Sequence, residues 1–315
     1  MSPLLDVRVA AVRQLTPLVR EFTFEPLPGG RLPGFSPGSH VLVHLPGAQR
    51  PLKNAYSLLG DPGDTSCYRI AVRLNEHSRG GSRYLHEQVK EGDRLQLSPP
   101  ANLFAPDKQA RHHLLIAGGI GITPFMAYTA DLQAQDASFE LHYAYRGGLT
   151  DSYLATLQAQ LGARLHGYDA QQGQRLDIGA LLRAQPLGTH VYVCGPQKLL
   201  DGVREQAAAL AWPAGRIHWE AFAAPQPGEP FVATLTRSGL RINVPAEASL
   251  LETLEQHGVE IPSLCRGGVC GHCATPYLDG EVEHRDHFLS AAEQATRLMP
   301  CVSRGRCGSA LTLDL

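Results

Sequence analysis

The run Cys265-Arg266-Gly267-Gly268-Val269-Cys270-Gly271-His272-Cys273, with Cys301 standing alone 28 positions further on, decides the reading of this chain. Three thiols spaced C-x4-C-x2-C and a distant fourth form the layout that closes around a plant-type [2Fe-2S] cluster. Gly267, Gly268 and Gly271 supply flexible, side-chain-free backbone where a loop must fold closely around inorganic sulfide. Zinc is the competing occupant. Structural zinc favours two C-x2-C knuckles, whereas here one pair is four residues apart and the last ligand is remote. The spacing therefore predicts an electron-carrying C-terminal domain with Cys265, Cys270, Cys273 and Cys301 as metal ligands.

Working outward, 315 residues allow two or three domains, each large enough to bury its own core. Lys plus Arg number 28 against 30 Asp plus Glu, so the chain lacks the basic excess of a nucleic-acid or anionic-membrane binder. Of the seven cysteines, Cys67, Cys194 and Cys307 remain outside the quartet and suggest no disulfide framework, which points to a reducing compartment. Residues 1–15 carry Asp6, Arg8 and Arg13, a pattern unlike a signal peptide. The longest uncharged stretch, residues 114–130, is interrupted by Gly118, Gly119, Gly121 and Pro124, so no membrane span is expected. A soluble, cytoplasmic protein is the expectation.

Residues 1–105 alternate short apolar runs (Val41-Leu42-Val43, Tyr68 to Val72, Leu95-Gln96-Leu97) with Pro/Gly turns, which predicts a small antiparallel β-barrel. From residue 106 to 224 strands alternate with helices, the pattern of a doubly wound α/β domain with a parallel sheet. Strands are expected at 114–117, 139–145 and 191–194. Residues 223–230 hold three prolines and a glycine and read as a linker. The cluster domain then spans 231–315.

Gly118-Gly119-Ile120-Gly121-Ile122-Thr123-Pro124 follows the first strand of the α/β domain. Backbone amides at such a helix start can cradle a pyrophosphate, with Thr123 as the cap and Pro124 in the first turn. Glycine loops also serve plain tight turns, so position carries the argument: this is the first strand-to-helix junction of the sheet. Cys194-Gly195-Pro196 ends a later strand at the same carboxyl edge, although Cys194 also suits a small buried hydrophobe.

Barrel, glycine loop, Cys-Gly-Pro, linker and cysteine quartet in this order resemble the phthalate dioxygenase reductase family over essentially the whole chain. Asn54-Ala55-Tyr56-Ser57-Leu58 and Ser78-Arg79-Gly80-Gly81-Ser82-Arg83 are most similar to the subgroup that includes carnitine monooxygenase reductase. The resemblance implies a β-grasp ferredoxin fold for the last domain. It also implies electron flow from NADH through FMN to the cluster and on to a terminal, Rieske-type oxygenase docked at the ferredoxin domain. By the same resemblance Tyr56 and Ser57 meet the isoalloxazine, with Ser57 beside its reactive nitrogen, and backbone at Ala71, Val72 and Arg73 bonds the ring's polar edge. Gly80, Gly81 and Ser82 hold the phosphate, Thr123 reaches the flavin, and Glu220 and Phe222 shield its nicotinamide face. Gly118, Gly119, Gly121, Cys194, Gly195 and Pro196 take the nucleotide, with Ser57, Cys194, Glu220 and Phe222 as the catalytic set. The wider family has arginine where this chain has Asn54, so Arg79 and Arg83 are the expected phosphate partners, ahead of Arg50 and Lys53. The residues alone leave FMN and FAD open.

Nicotinamide gives up two electrons together and the cluster accepts one, so a flavin between them divides the pair. Asp151, past the end of the second strand, favours NADH by bonding the adenosine ribose, whereas the neighbouring Arg146 invites a 2′-phosphate. A P450 or diiron partner, and an iron-sulfur redox sensor, are the alternative readings. A sensor has no use for the hydride-donor site at Gly118 and Cys194. Residues 231–315 carry 7 Lys/Arg against 10 Asp/Glu. Asp279, Glu281, Glu283 and Asp286 in that segment suggest an acidic docking face.

Overall fold

The computed structural model describes residues 3–46, 51–75, 80–222, 226–306 and 310–315. They form two compact units, Met1–Phe222 and Ala223–Leu315.

In the first unit, β1 (Leu5–Thr16), β2 (Val19–Pro26), β3 (Ser39–Leu45), β4 (Leu52–Ser57) and β5 (Tyr68–Arg73) precede a short helix, α1 (Gly81–Glu87). β6 (Arg94–Leu97) and β7 (Ala101–Asn102) complete an antiparallel sheet ordered β4-β3-β6-β1-β2-β5, with β7 on β3. Strand alternation sends Val7, Val9, Phe22, Phe24, Val41, Val43, Tyr68 and Ile70 to one interior, each fully buried. Register shifts between Val9 and Ala11 and between Gln14 and Thr16 let the long β1 bend. The two ends of the strand path meet where Leu59 N–H donates to the Arg69 carbonyl at 2.9 Å, so the sheet curls into the expected barrel.

The chain then builds β8 (His112–Gly118), α2 (Thr123–Ala134), β9 (Phe139–Tyr145), α3 (Leu154–Leu161), β10 (Leu165–Asp169), α4 (Ile178–Arg183), β11 (Thr189–Cys194), α5 (Gln197–Ala209) and β12 (Ile217–Glu220). All five strands run parallel in the order β10-β9-β8-β11-β12. Apolar runs such as Leu114-Leu115-Ile116 are buried on both faces, as a helix-covered parallel sheet requires. The boundary expected near residue 105 lies inside this unit. Its two halves are tied by the Tyr153 hydroxyl, which donates to Glu21 at 2.6 Å, and by Thr16 Oγ1, which donates to the Leu149 carbonyl at 2.8 Å.

The second unit holds β13 (Phe231–Leu235), β14 (Arg241–Val244), α6 (Leu250–Gln256), β15 (Thr275–Asp279), β16 (Val282–Glu283), α7 (Ala291–Gln294), β17 (Arg297–Leu298), β18 (Arg304–Gly305) and β19 (Ala310–Leu313). Its main sheet is ordered β14-β13-β19-β15-β17, with β13 and β19 parallel and the rest antiparallel. Ser249 and Glu252 close a reciprocal capping box on α6, whose Leu250 and Leu254 pack on the sheet's core. This mixed sheet with a packed helix is the ferredoxin-like architecture. Among the described residues no helix is long and apolar enough to cross a membrane.

Several imidazoles of the first unit are folded away uncharged. Burial pulls His113 down to about 4, and burial also lowers His86, whose Nε2 is bonded to the Val72 carbonyl at 2.8 Å. A group with its folded pKa depressed below about 6.5 takes up its proton more readily when unfolded, so stability falls as pH drops from 6.5 toward 4. Trp212 and Trp219 both lie in this unit, so their fluorescence reports it. The thermal midpoint read this way should fall by several degrees between pH 7 and pH 5, and His113→Phe should flatten the slope. An equally steep slope in the variant would assign the acid sensitivity elsewhere.

Candidate functional site

The strand order reverses at β8, which is followed in sequence by β9 on one side and flanked by β11 on the other. At the carboxyl ends of these strands lies a cleft of about 540 Å³ whose lining includes Gly118, Gly119, Arg146, Gly195, Pro196 and Phe222. Ligands of doubly wound sheets settle at this switch point. The glycines there do different work. A Cβ on Gly121 would lie 2.2 Å from the Cys194 carbonyl oxygen, so this glycine exists to let the two strand ends touch. Gly119 instead opens toward the cleft and Thr150. Thr123 does not cap: a 3-10 turn over Gly119–Ile122 runs straight into α2, and the Thr123 hydroxyl donates back to the Ile120 carbonyl at 3.0 Å. Pro124 sits in the first turn as expected.

Cys194 is fully buried in the apolar cluster with Phe104, Leu115 and Phe125, and burial raises its thiol well above the ordinary range. Its backbone neighbours Gly195 and Pro196 line the cleft; its side chain is not part of the lining. Glu220 pairs in register with Cys194 at the end of β12, and Phe222, 43% exposed, stands two residues beyond. Arg146 reaches the cleft and Asp151 does not, because the Asp151 carboxylate accepts from the Gly148 amide at 2.9 Å within its own loop. Arg175, which the sequence reading missed, joins Arg146 in the lining. Nothing in the local pattern around Arg175 signals this; the fold brings it there.

On the barrel, Tyr56 and Ser57 end β4. Burial pushes the Tyr56 phenol above its ordinary value. The Ser57 hydroxyl is buried with no hydrogen-bond partner, a condition that costs free energy unless a ligand supplies the bond. Ala71 and Val72 are buried in β5, and Arg73 emerges from its end into the cleft. Asn54 packs against the start of α1: a Cβ on Gly81 would meet its Oδ1 at 2.4 Å. Ser82 Oγ accepts from the Asn75 amide at 3.3 Å, and Arg83 lies 4.0 Å from Glu87 on an exposed face. Gly80 precedes α1 with φ 114. Arg79 and Arg50 lie outside the described residues, as does Cys307.

In the second unit the four expected cysteines converge. Cys273 and Cys301 sulfurs are 3.2 Å apart and both are buried. The Cys265 thiol holds Cys270 down to about 6, and backbone amides add to the effect, so one thiolate stands ready in that pair. Cys301 likewise holds Cys273 below the ordinary range. Between the first two ligands Arg266 adopts φ +52, rare for a residue with a side chain. The fold fixes it there with a bidentate ion pair to Glu255, at 2.8 and 2.9 Å, in which both side chains are largely buried.

Two family models match this chain: a "Dimethylamine monooxygenase subunit DmmA-like, N-terminal domain" over residues 94–217 and a "2Fe-2S iron-sulfur cluster binding domain" over residues 233–305. The chain is 61% identical to the heme-dependent oxidative N-demethylase beta subunit of Ectopseudomonas mendocina (strain ymp), covering all of both chains. It is 45% identical to the carnitine monooxygenase reductase subunit of Escherichia coli (strain K12), covering 99% of this chain and 98% of that one. The solved structure of phthalate dioxygenase reductase, described as modular for electron transfer from pyridine nucleotides to [2Fe-2S], superposes with a TM-score of 0.87 at 33% identity, over 99% of this chain and 98% of that one. The chain belongs to the phthalate dioxygenase reductase family.

As a phthalate dioxygenase reductase homologue it is a flavin- and [2Fe-2S]-dependent oxidoreductase, and its residues fit those groups. The orphaned Ser57 hydroxyl suits a flavin ring atom, and four converging thiols suit two irons. The acidic face expected beyond the ligand loop of this reductase is largely neutralised. Glu283 pairs with Arg285 at 2.8 Å and Glu281 with Arg306 at 3.5 Å. The Asp286 side chain is fully buried and accepts from the Leu289 amide at 2.8 Å. Beside these exposed ion pairs stands an apolar side chain: Phe288, 50% exposed, has its ring against Gly271 of the cluster loop.

Gly121→Ala tests the strand-end contact. The added methyl forces the Gly119–Ile122 turn away from β11, so NADH-driven flavin reduction should slow by at least about tenfold, equivalent to about 1.4 kcal/mol. Iron content and the cluster's visible spectrum should stay unchanged. Wild-type reduction rates in stopped flow would show that the contact is not needed for nucleotide binding.

Proposed function

We propose that this chain is the reductase subunit of a multicomponent oxygenase that demethylates an amine, with residues 1–105 holding FMN, 106–224 taking NADH and 231–315 holding the cluster. The observation that carries the electron-transfer reading is one chain that joins a nucleotide-type cleft closed by Phe222 to a set of four converging thiols. The full-length 61% relative, named as a heme-dependent oxidative N-demethylase subunit, supports a haem-containing terminal partner, and the dimethylamine monooxygenase family model supports an amine substrate. A Rieske-type partner is the second reading, favoured by the family resemblance and by the 45% relative from carnitine monooxygenase. NADH is a cytoplasmic metabolite, and the cytoplasm is where we place the protein.

When bound, the flavin accepts an electron pair as hydride and passes single electrons on. The chain's own residues bind and orient. Gly118, Gly119, Gly195 and Pro196 offer side-chain-poor backbone to the nucleotide's phosphates and nicotinamide, and Arg146 with Arg175 faces its adenosine end. Phe222 would shield the bound ring on the side where the nicotinamide enters, and Glu220 closes the same strand end. Ser57 would hydrogen-bond the reactive edge of the ring, Tyr56 would pack on it, and the backbone of Ala71, Val72 and Arg73 would border it. The Val72 carbonyl is already engaged by His86, which leaves its neighbours the larger share. Gly80, Gly81, Ser82, Arg83 and Asn54 would hold the phosphate, and Thr123 would meet the flavin from the α/β side. Cys265, Cys270, Cys273 and Cys301 hold the irons. The partner docks on the ferredoxin unit at Phe288, since a half-exposed aromatic beside the cluster loop is the kind of anchor that dominates interfaces.

Reconstitution with a haem-dependent N-demethylase should give NADH-dependent formaldehyde from a methylated amine. Cys270→Ser should abolish that product and leave NADH-ferricyanide turnover, which needs only the first unit. Equal survival of both activities would remove the cluster from the electron path.

Phe288→Ala should slow delivery to the oxygenase by about tenfold or more, the usual cost of losing an aromatic anchor, and spare ferricyanide turnover. An unchanged transfer rate would place docking on another surface.

A further inference from the structure

Upstream of the strand ends that form the nucleotide cleft, four side chains from three neighbouring strands meet on one face of the parallel sheet. Glu140 and His142 lie two apart on β9, His166 stands opposite His142 on β10, and His112 begins β8. Nε2 of His142, His166 and His112 lies 3.4, 3.7 and 4.0 Å respectively from the Glu140 carboxylate. For His166 and His112 these separations are too long for good hydrogen bonds. The His142 separation matches the edge of a coordination tetrahedron, about 3.4 Å for metal–ligand bonds of 2.0–2.1 Å, and that of His166 approaches it, whereas His112 lies outside the group whose donor atoms all come within 4.8 Å of one another. The His142 side chain is 5% exposed and its Nε2 is buried with no hydrogen-bond partner.

The outer atoms are tied in the way that fixes ligand orientation. His142 Nδ1 is bonded to the Tyr168 hydroxyl at 2.9 Å and His112 Nδ1 to the Ser138 hydroxyl at 2.8 Å, while Gln185 Nε2 donates to Glu140 Oε1 at 2.7 Å. The buried His142 imidazole thus keeps Nε2 for the centre of the group, the second-sphere pattern of metal-binding histidines. His166, 44% exposed, is the entry side. A second cluster, Asp107 with His190 and His218, lacks this arrangement because its imidazoles bond each other at 3.0 Å.

We propose that Glu140, His142 and His166 bind one divalent transition metal ion, of which Zn²⁺ best matches two imidazole nitrogens and one carboxylate oxygen with a water completing the tetrahedron. The role of the ion is structural: it clamps β9 to β10.

The test uses the holoprotein, with flavin and cluster in place, stripped over a chelating resin, incubated with Zn²⁺ and desalted, with zinc and iron counted together. Wild type should retain one zinc beside an unchanged complement of iron, and should show the ligand-field bands of a tetrahedral site when Co²⁺ replaces Zn²⁺. Mg²⁺, which prefers oxygen ligands, should not be retained. His166→Ala and His142→Gln should each weaken zinc binding by at least about tenfold and lose the Co²⁺ bands while keeping iron and flavin. His166 is half-exposed, so its variant folds even where the His142 variant does not. No zinc on the wild type, equal retention by His166→Ala, or equal retention of Mg²⁺ would each overturn the assignment.

Discussion

Two strand ends that touch without side chains between them set the geometry of the first unit. Gly121 lies so close to the Cys194 carbonyl that no Cβ fits. That contact lets the loops after β8 and β11 splay outward and leaves backbone as the floor of the cleft. Backbone amides can approach an anionic ligand more closely than any branched side chain allows. Arg73 from the barrel and Phe222 from the end of β12 reach the same space only because Tyr153 and Thr16 hold the two halves together.

The second unit rests on a different kind of constraint. Four sulfurs that repel as thiolates must be held together, and the loop that does so passes through a left-handed Arg266. A buried guanidinium is costly alone, so Glu255 on α6 both neutralises it and pins the loop to the helix. The capping box at Ser249 fixes the start of that helix. Cluster loop, ion pair and helix cap are therefore one connected assembly.

Much of this was legible in the sequence because it depends on local spacing. The cysteine quartet, the apolar runs of β8, β9 and β11 and the glycine loop are each written within a few residues. What was not legible depends on partners distant in the chain. Asp151 and Arg146 look alike as candidates until the loop turns the carboxylate onto its own backbone and delivers Arg175 from beyond β10. Thr123 has the composition of a cap, but a 3-10 turn leads into the helix ahead of it. In the acidic run after the cluster loop, Glu283 and Glu281 pair with Arg285 and Arg306, and Asp286 turns its side chain inward. Phe288 gave no signal at all, since exposure of a lone aromatic is a property of the folded surface.

The central strand of the ferredoxin sheet is β19, lying between β13 and β15. Residues 310–313 are translated after every one of the four cysteines. While the ribosome is still making them, the ligand loop belongs to a sheet in two separate pieces. The ferredoxin sheet therefore closes only with the last strand to be made, whereas the flavin barrel and the nucleotide sheet, complete by residue 222, can fold on the nascent chain. The order in which the units can close is thus written into the strand order, and the unit that holds the four cysteines closes last.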